Sequence, residues 1–163
     1  MFRTIAVKTI ASRLLALGLL LTTIGCDRVT KHLAVDHLRA DGGRSYLGDV
    51  IRLEYAENAG AFLSAGSRLP EWARKALFQV CVPMALAGLA FVAIKQRWTG
   101  ILLFGSSLVF AGGVSNCIDR FARDSVVDFM SLGIGPLRTG IFNVADVAVM
   151  LGAVLIISKV ADD

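Results

Sequence analysis

Four long apolar runs dominate this chain, beginning near Ala11, Ala76, Thr99 and Ile141. Charge collects at their ends and in the segments between them. A water-facing helix shows one apolar stripe, whereas a bilayer helix is apolar all round. At about 1.5 Å of rise per residue, runs near twenty residues match the hydrocarbon thickness of a membrane. The chain is 55% hydrophobic over 163 residues, too apolar for an ordinary soluble domain of this size. The expected fold is therefore an all-α membrane protein with four transmembrane helices. No linker is long enough to separate a second domain, so residues 1–163 are expected to form a single polytopic membrane domain.

The first helix is expected from about 11 to 35, because the run ending at Cys26 continues as DRVTKHLAV with helical periodicity. Residues 36–70 are polar and glycine-containing, and within them VIRLEYAEN alternates like a strand. A small extracytoplasmic β-sheet between helices one and two is expected there. The second run, 76–94, contains Pro83, which membrane helices tolerate as a kink. Residues 121–140 form a looser segment with several glycines and Pro136, ahead of the fourth run at 141–158. Small residues such as Gly88, Gly105, Gly112 and Gly113 suit close helix packing. Cys26, Cys81 and Cys117 lie in apolar runs without CxxC spacing and read as small buried residues.

Four crossings put both termini on one side. Raw counts of Lys and Arg do not favour that side as the cytoplasm, but their density does. Arg3, Lys8 and Arg13 stand with no acid among the first 13 residues, and Lys95 and Arg97 occupy a tight turn. Both termini are expected in the cytoplasm. The net charge of +4 then reflects topology, and no nucleic-acid motif accompanies it. The basic start and Cys26 after Gly25 also resemble a cleavable leader, but Thr23 and Ile24 suit one poorly, and the helix runs on through Lys31.

Charge inside a membrane costs on the order of 2.5 to 3.5 kcal/mol per residue at a helix centre, so the places where it is accepted carry information. Asp27 and Lys31 share one face near the far end of helix one. Asn116, Asp119 and Arg120 end helix three, Asn143 and Asp146 begin helix four, and Asn58 and Asp128 lie in far-side loops. All fall in one leaflet, as expected of a one-sided cavity rather than a transport path. Structural roles compete: an intrahelical Asp27–Lys31 ion pair, an Asp119–Arg120 brace, and Asn143 capping a helix whose first turn holds Asp146.

The only histidines, His32 and His37, do not fall on the converging ends of helices three and four, which disfavours a serine or cysteine nucleophile. No His/Cys cluster offers a zinc site, and a carboxylate-bound magnesium would lack a phosphate cradle. No metal or other cofactor is expected. Two carboxylates remain. In a semi-dry cavity they share one proton, and such a pair activates water against a peptide carbonyl. Asp146 is well placed, and its partner must come from the preceding loop, which brings in Asp128. Rival readings are a non-catalytic scaffold or small transporter and a metal-dependent lipid hydrolase.

The stretches DRVTK (27–31), ENAGAF (57–62), GGVSNCIDR (112–120), VVDF (126–129) and FNVAD (142–146) resemble the lipoprotein signal peptidases, or signal peptidase II. That family comprises bacterial membrane aspartyl proteases with four helices and a small periplasmic sheet. The resemblance implies Asp128 and Asp146 as the catalytic pair. It implies that Asn58, Gly60, Asn116 and Asn143 position substrate or dyad, and that Asp27, Lys31, Asp119 and Arg120 support the site. The implied substrate is a prolipoprotein whose cysteine carries diacylglycerol, cut just before that cysteine. The implied setting is the inner membrane, with the site near the periplasmic face and the chain acting as a monomer beside lipid. Arg28 stands where Gln is usual in the family, and Ser115 where Gly is common.

Overall fold

A computed structural model describes residues 2–40, 42–61 and 66–162, with side chains from Ile10 onward. Helix α1 (Phe2–Leu38) is followed by strands β1 (Arg44–Tyr46) and β2 (Ile51–Asn58). Next come α2 (Glu71–Lys75), a π-helical stretch (Ala76–Cys81) and α3 (Val82–Lys95), which together make one continuous rod. Helix α4 (Gly100–Arg123), strands β3 (Val126–Ile134) and β4 (Leu137–Arg138) and helix α5 (Val144–Ala161) complete the chain.

Among the described residues, four segments are long and apolar enough to cross a membrane: Ile10–Leu38, Glu71–Lys95, Gly100–Arg123 and Val144–Ala161. Their outer surfaces are apolar, with Leu14, Leu17, Met84, Phe91 and Ile157 all exposed. That inversion of the soluble pattern is what a hydrocarbon solvent selects. Helix α1 begins well before the expected position 11, since nothing in FRTIAVKTI breaks a helix. The rod from Glu71 is not broken at Pro83. Its hydrogen-bond ladder instead widens directly before the proline, where the Val82 amide donates to the Leu77 carbonyl. Cys117 is buried as expected, but Cys26 and Cys81 are exposed on the apolar outer surface. A thiol is apolar enough to face lipid, so its place in an apolar run did not require burial.

Helix α4 is the central element and packs on α1, α3 and α5. It meets α5 through small residues: a Cβ on Gly105 would lie 2.9 Å from the Gly152 carbonyl, and one on Gly112 would overlap the Ala145 carbonyl. Backbones this close replace side-chain interdigitation with direct helix–helix contact.

The sheet is antiparallel in the order β1-β2-β3-β4. Only β1 and β2 come from the expected segment between the first two spans. The other two strands arise from 126–138, read from sequence as a loose connection. Val126, Val127, Asp128 and Phe129 are all buried, so the polar–apolar alternation that marks a half-exposed strand is absent. Val127 and Phe129 pack with Ala34 and Leu38 of α1, seating the sheet on the end of the bundle. The pairing of β2 with β3 places Ala56 opposite Asp128, and the register shifts between Leu53 and Ala56. Asp128 is thus fixed on a strand near the ends of α1 and α4 and the start of α5.

Candidate active site

Helix α5 starts with a capping box. The Asn143 side-chain carbonyl accepts from the Asp146 amide at 2.9 Å, and Asp146 Oδ2 accepts from the Asn143 amide at 3.2 Å. This satisfies two of the donors that every helix N-terminus leaves open. The capping role weighed from sequence is therefore real, and it coexists with a second arrangement. Asn143 Nδ2 donates to Asp128 Oδ1 at 2.7 Å, so one residue grips both aspartates. Asn58 Nδ2 donates to Asp128 Oδ2 at 3.0 Å, and Asn116 Nδ2 donates to Asp146 Oδ1 at 2.9 Å. Every carboxylate oxygen of the pair has an N–H donor.

Asp128 is 2% exposed. Burial pushes its carboxyl up to about 6, helped by the nearby charge of Asp146 and opposed by the Asn58 and Asn143 amides. A carboxyl so placed keeps a proton at pH values where an ordinary aspartate has lost it.

A cavity of about 480 Å³ opens beside the pair. Its walls are mostly apolar, with Leu86, Val109 and Val149 among them, and Asn116, Arg120 and Asp146 supply the polar end. Asp146 reaches this wall. Asp128 is held beside it by Asn58 and Asn143, which bond its two oxygens. Its apolar walls with few polar groups suit a ligand that carries a chain of CH₂ groups and a polar junction.

Behind the pair lies a buried cluster of charge. Lys31, 2% exposed, is 2.7 Å from Asp27 Oδ2 and 2.9 Å from Asp119 Oδ2, and donates to Asn116 Oδ1 at 2.7 Å. Arg28 also bonds Asp119. Asp27 accepts from Ser115 Oγ at 2.6 Å and from the Ala145 amide at 2.8 Å, so it holds the first turn of α5 as well. Buried ions persist only when so partnered. The expected Asp27–Lys31 pair is present. Asp119 and Arg120 hold elements together, as expected, but through different partners: Asp119 ties α4 to α1, and Arg120 ties it to the turn after β2. Arg120 donates to the Gly60 carbonyl at 2.8 Å and lies over the Phe78 ring at 4.8 Å. Its Nε is buried without a partner among the described residues. Gly60 in turn donates its amide to Asn58 Oδ1 at 2.9 Å, which closes the turn leaving β2.

All ten residues singled out from sequence lie in this one region. Arg28 and Ser115, read only as departures from a pattern, are working parts of the charge cluster. Two participants had no sequence signal. Phe78 and Gln79 are aimed at α4 by the π-helical stretch, and Gln79 Nε2 donates to the Arg120 carbonyl and to Asp124. Among the described residues no three His, Cys, Asp or Glu side chains converge as a metal site.

Comparison with known proteins agrees with this architecture. Two solved bacterial membrane enzymes superpose with TM-scores of 0.80. They are 25% and 26% identical to this chain, and each match covers 91% of it with 88% and 93% of the respective structures. The lipoprotein signal peptidase of Chlorobium phaeovibrioides is 35% identical over 150 residues, 85% of either chain. That of Halothermothrix orenii is 31% identical over 137 residues, covering 84% of this chain and 88% of the relative. A family model described as Signal peptidase (SPase) II matches residues 19–161. With four spans and, at their head, two amide-bound aspartates, Asp128 buried and Asp146 half-buried, this multi-pass bacterial membrane protein belongs to the signal peptidase II family of aspartic-type peptidases.

Proposed function

We propose that the protein is an endopeptidase acting on diacylglyceryl-modified prolipoproteins, with Asp128 and Asp146 as its catalytic dyad. The observation that carries this reading is the grip of Asn143 on both aspartates at the head of an apolar cavity. The lipid-bearing cysteine enters between the helices with its acyl chains along the apolar walls. The bond before that cysteine meets the dyad.

One aspartate is ionised and the other holds the shared proton. The ionised carboxylate takes a proton from a water molecule. The water oxygen bonds the scissile carbonyl carbon while the neutral carboxyl gives its proton to the carbonyl oxygen. The tetrahedral diol then collapses. The C–N bond breaks, the amine leaves with a proton from the dyad, and the signal peptide carries the new carboxyl. Asn58, Asn116 and Asn143 hold both carboxyls within reach of one carbonyl, and Gly60 shapes the turn that positions Asn58. Lys31, Asp27, Asp119 and Arg120 fix the elements that carry them.

In this reading both termini are cytoplasmic, the sheet lies at the periplasmic face, and the chain works as a monomer. The test is cleavage by purified protein of a diacylglyceryl prolipoprotein against its unlipidated counterpart. Asp128→Asn and Asp146→Asn should each abolish cleavage while the protein stays folded. Activity retained in both variants, or equal cleavage of unlipidated substrate, overturns the proposal.

A further inference from the structure

On the side of α4 turned toward α1, a second cavity of about 350 Å³ lies where α1, the end of α4 and β3 meet. Its lining includes Arg28, Lys31, His32 and Arg123 together with Val29 and Val127, and no carboxylate. The acids that balance Arg28 and Lys31 are Asp27 and Asp119, both fully buried beneath them. Asp36 pairs with His32 at 3.7 Å on the outer side. Glu57 is within electrostatic reach of Arg123 but accepts its hydrogen bonds from Tyr55 and Ser125. The Arg123 guanidinium is exposed and has no hydrogen-bond or ion-pair partner among the described residues. Two guanidiniums, one half-engaged and one free, thus face the same opening.

The opening also lies at a defined depth. Here the apolar run of α1 gives way to charged residues from Asp27 onward, α4 ends at Arg123 and β3 begins, the level expected of lipid headgroups. Below it, Leu21 stands two turns deeper on the same stripe of α1 as Arg28 and is 61% exposed. Gly25, one turn below Arg28, has open space where a Cβ would be. A charged mouth over an apolar stripe matches the anatomy of a phospholipid, with phosphate above and acyl chain below.

We propose that this cavity binds the headgroup phosphate of an anionic phospholipid, through Arg28 and Arg123. Guanidiniums bind phosphate oxygens with directed, charge-assisted hydrogen bonds. The absence of a carboxylate from the lining leaves nothing to receive the ammonium of a zwitterionic headgroup, so the site discriminates by charge. It stands back to back with the aspartate pair, and Lys31 belongs to both.

Lipid retention tests this without any assay of cleavage. The full chain is exchanged from detergent into nanodiscs of phosphatidylcholine containing a minority of phosphatidylglycerol, then released, and the lipids kept on the protein are counted by native mass spectrometry. Wild-type protein should retain one phosphatidylglycerol in preference to phosphatidylcholine. Arg123→Ala and Arg28→Gln should each lower that preference about fivefold, as expected for one arginine at a membrane surface, and Arg123→Lys should keep most of it. Equal retention of the two lipids by wild-type protein, or an unchanged preference in both variants, overturns the proposal. Displacement of the retained lipid by millimolar inorganic phosphate would assign the site to free phosphate and also overturn it.

Discussion

The side-chain amide of Asn143 donates to Asp128 Oδ1 at 2.7 Å. The same residue caps α5 through its side-chain carbonyl, so positioning and helix stability are two separable duties. Serine caps a helix nearly as well as asparagine but has no amide to offer Asp128. Asn143→Ser should unfold near the wild-type temperature yet cleave lipidated substrate at least about 100-fold more slowly, the scale of loss from a small misplacement. Asn143→Ala should lose the same activity and about 1 kcal/mol of stability. Thermal unfolding and cleavage measured on both variants separate the duties; full activity in the serine variant would remove Asn143 from the positioning role.

Asp128 provides a pH test. Its carboxyl is raised by burial to about 6 from an ordinary 3.8, so between these values the folded protein holds a proton that the unfolded chain has released. The stability it contributes is present at low pH and lost as pH rises through about 6. Asp146 and Lys31 are the charges that modulate it. Asp128→Asn cannot titrate. The unfolding temperature of the variant minus that of the wild type should become more positive between about pH 4 and about pH 8. A difference independent of pH would show that Asp128 titrates normally.

Gly112 and Gly88 form a matched pair for packing. A Cβ on Gly112 overlaps the carbonyl of Ala145, the neighbour of Asp146, whereas a Cβ on Gly88 meets nothing within 4 Å. Gly112→Ala should cost about 1 to 3 kcal/mol by overpacking and lower cleavage more than tenfold by pushing the head of α5. Gly88→Ala should be neutral or slightly stabilising in both measurements.

Asp124 ends α4 in the left-handed region, with φ 58°, and accepts from Gln79 Nε2 at 2.7 Å. Asparagine tolerates that backbone and keeps a carbonyl for Gln79. Asp124→Asn should leave cleavage within about twofold, the scale of ordinary surface changes. Asp124→Val should cost about 1 to 2 kcal/mol in thermal unfolding while sparing the rate of the folded enzyme.

The spans were legible because burial in lipid leaves a signature in composition and length that no local detail can hide. Asp128 and Asp146 could be placed together because a membrane protein holds few carboxylates, and these two flank one short connection. The second half of the sheet was not legible. VVDF is buried on both faces, so periodicity carries no strand signal there, and β3 is held in place by β2 from far earlier in the chain. The π-helical stretch was equally silent, since ALFQVC contains nothing that distinguishes a wide turn from an ordinary one. Arg28 read only as a residue standing where Gln is usual. Its true partner, Asp119, lies on another helix and could be found only in three dimensions.

The bond from Asn58 to Asp128 spans 70 residues, and Asn143, which holds both aspartates, heads the final helix. During synthesis Asp128 is therefore made before its full set of holders exists, and Asp146 arrives only with the last span. A chain halted after α4 carries neither Asp128 nor Asp146. The Asn143 cap that bonds both aspartates can form only once α5 is made. If Asp128 and Asp146 are the dyad, the nascent chain stays inert until its last span is in place.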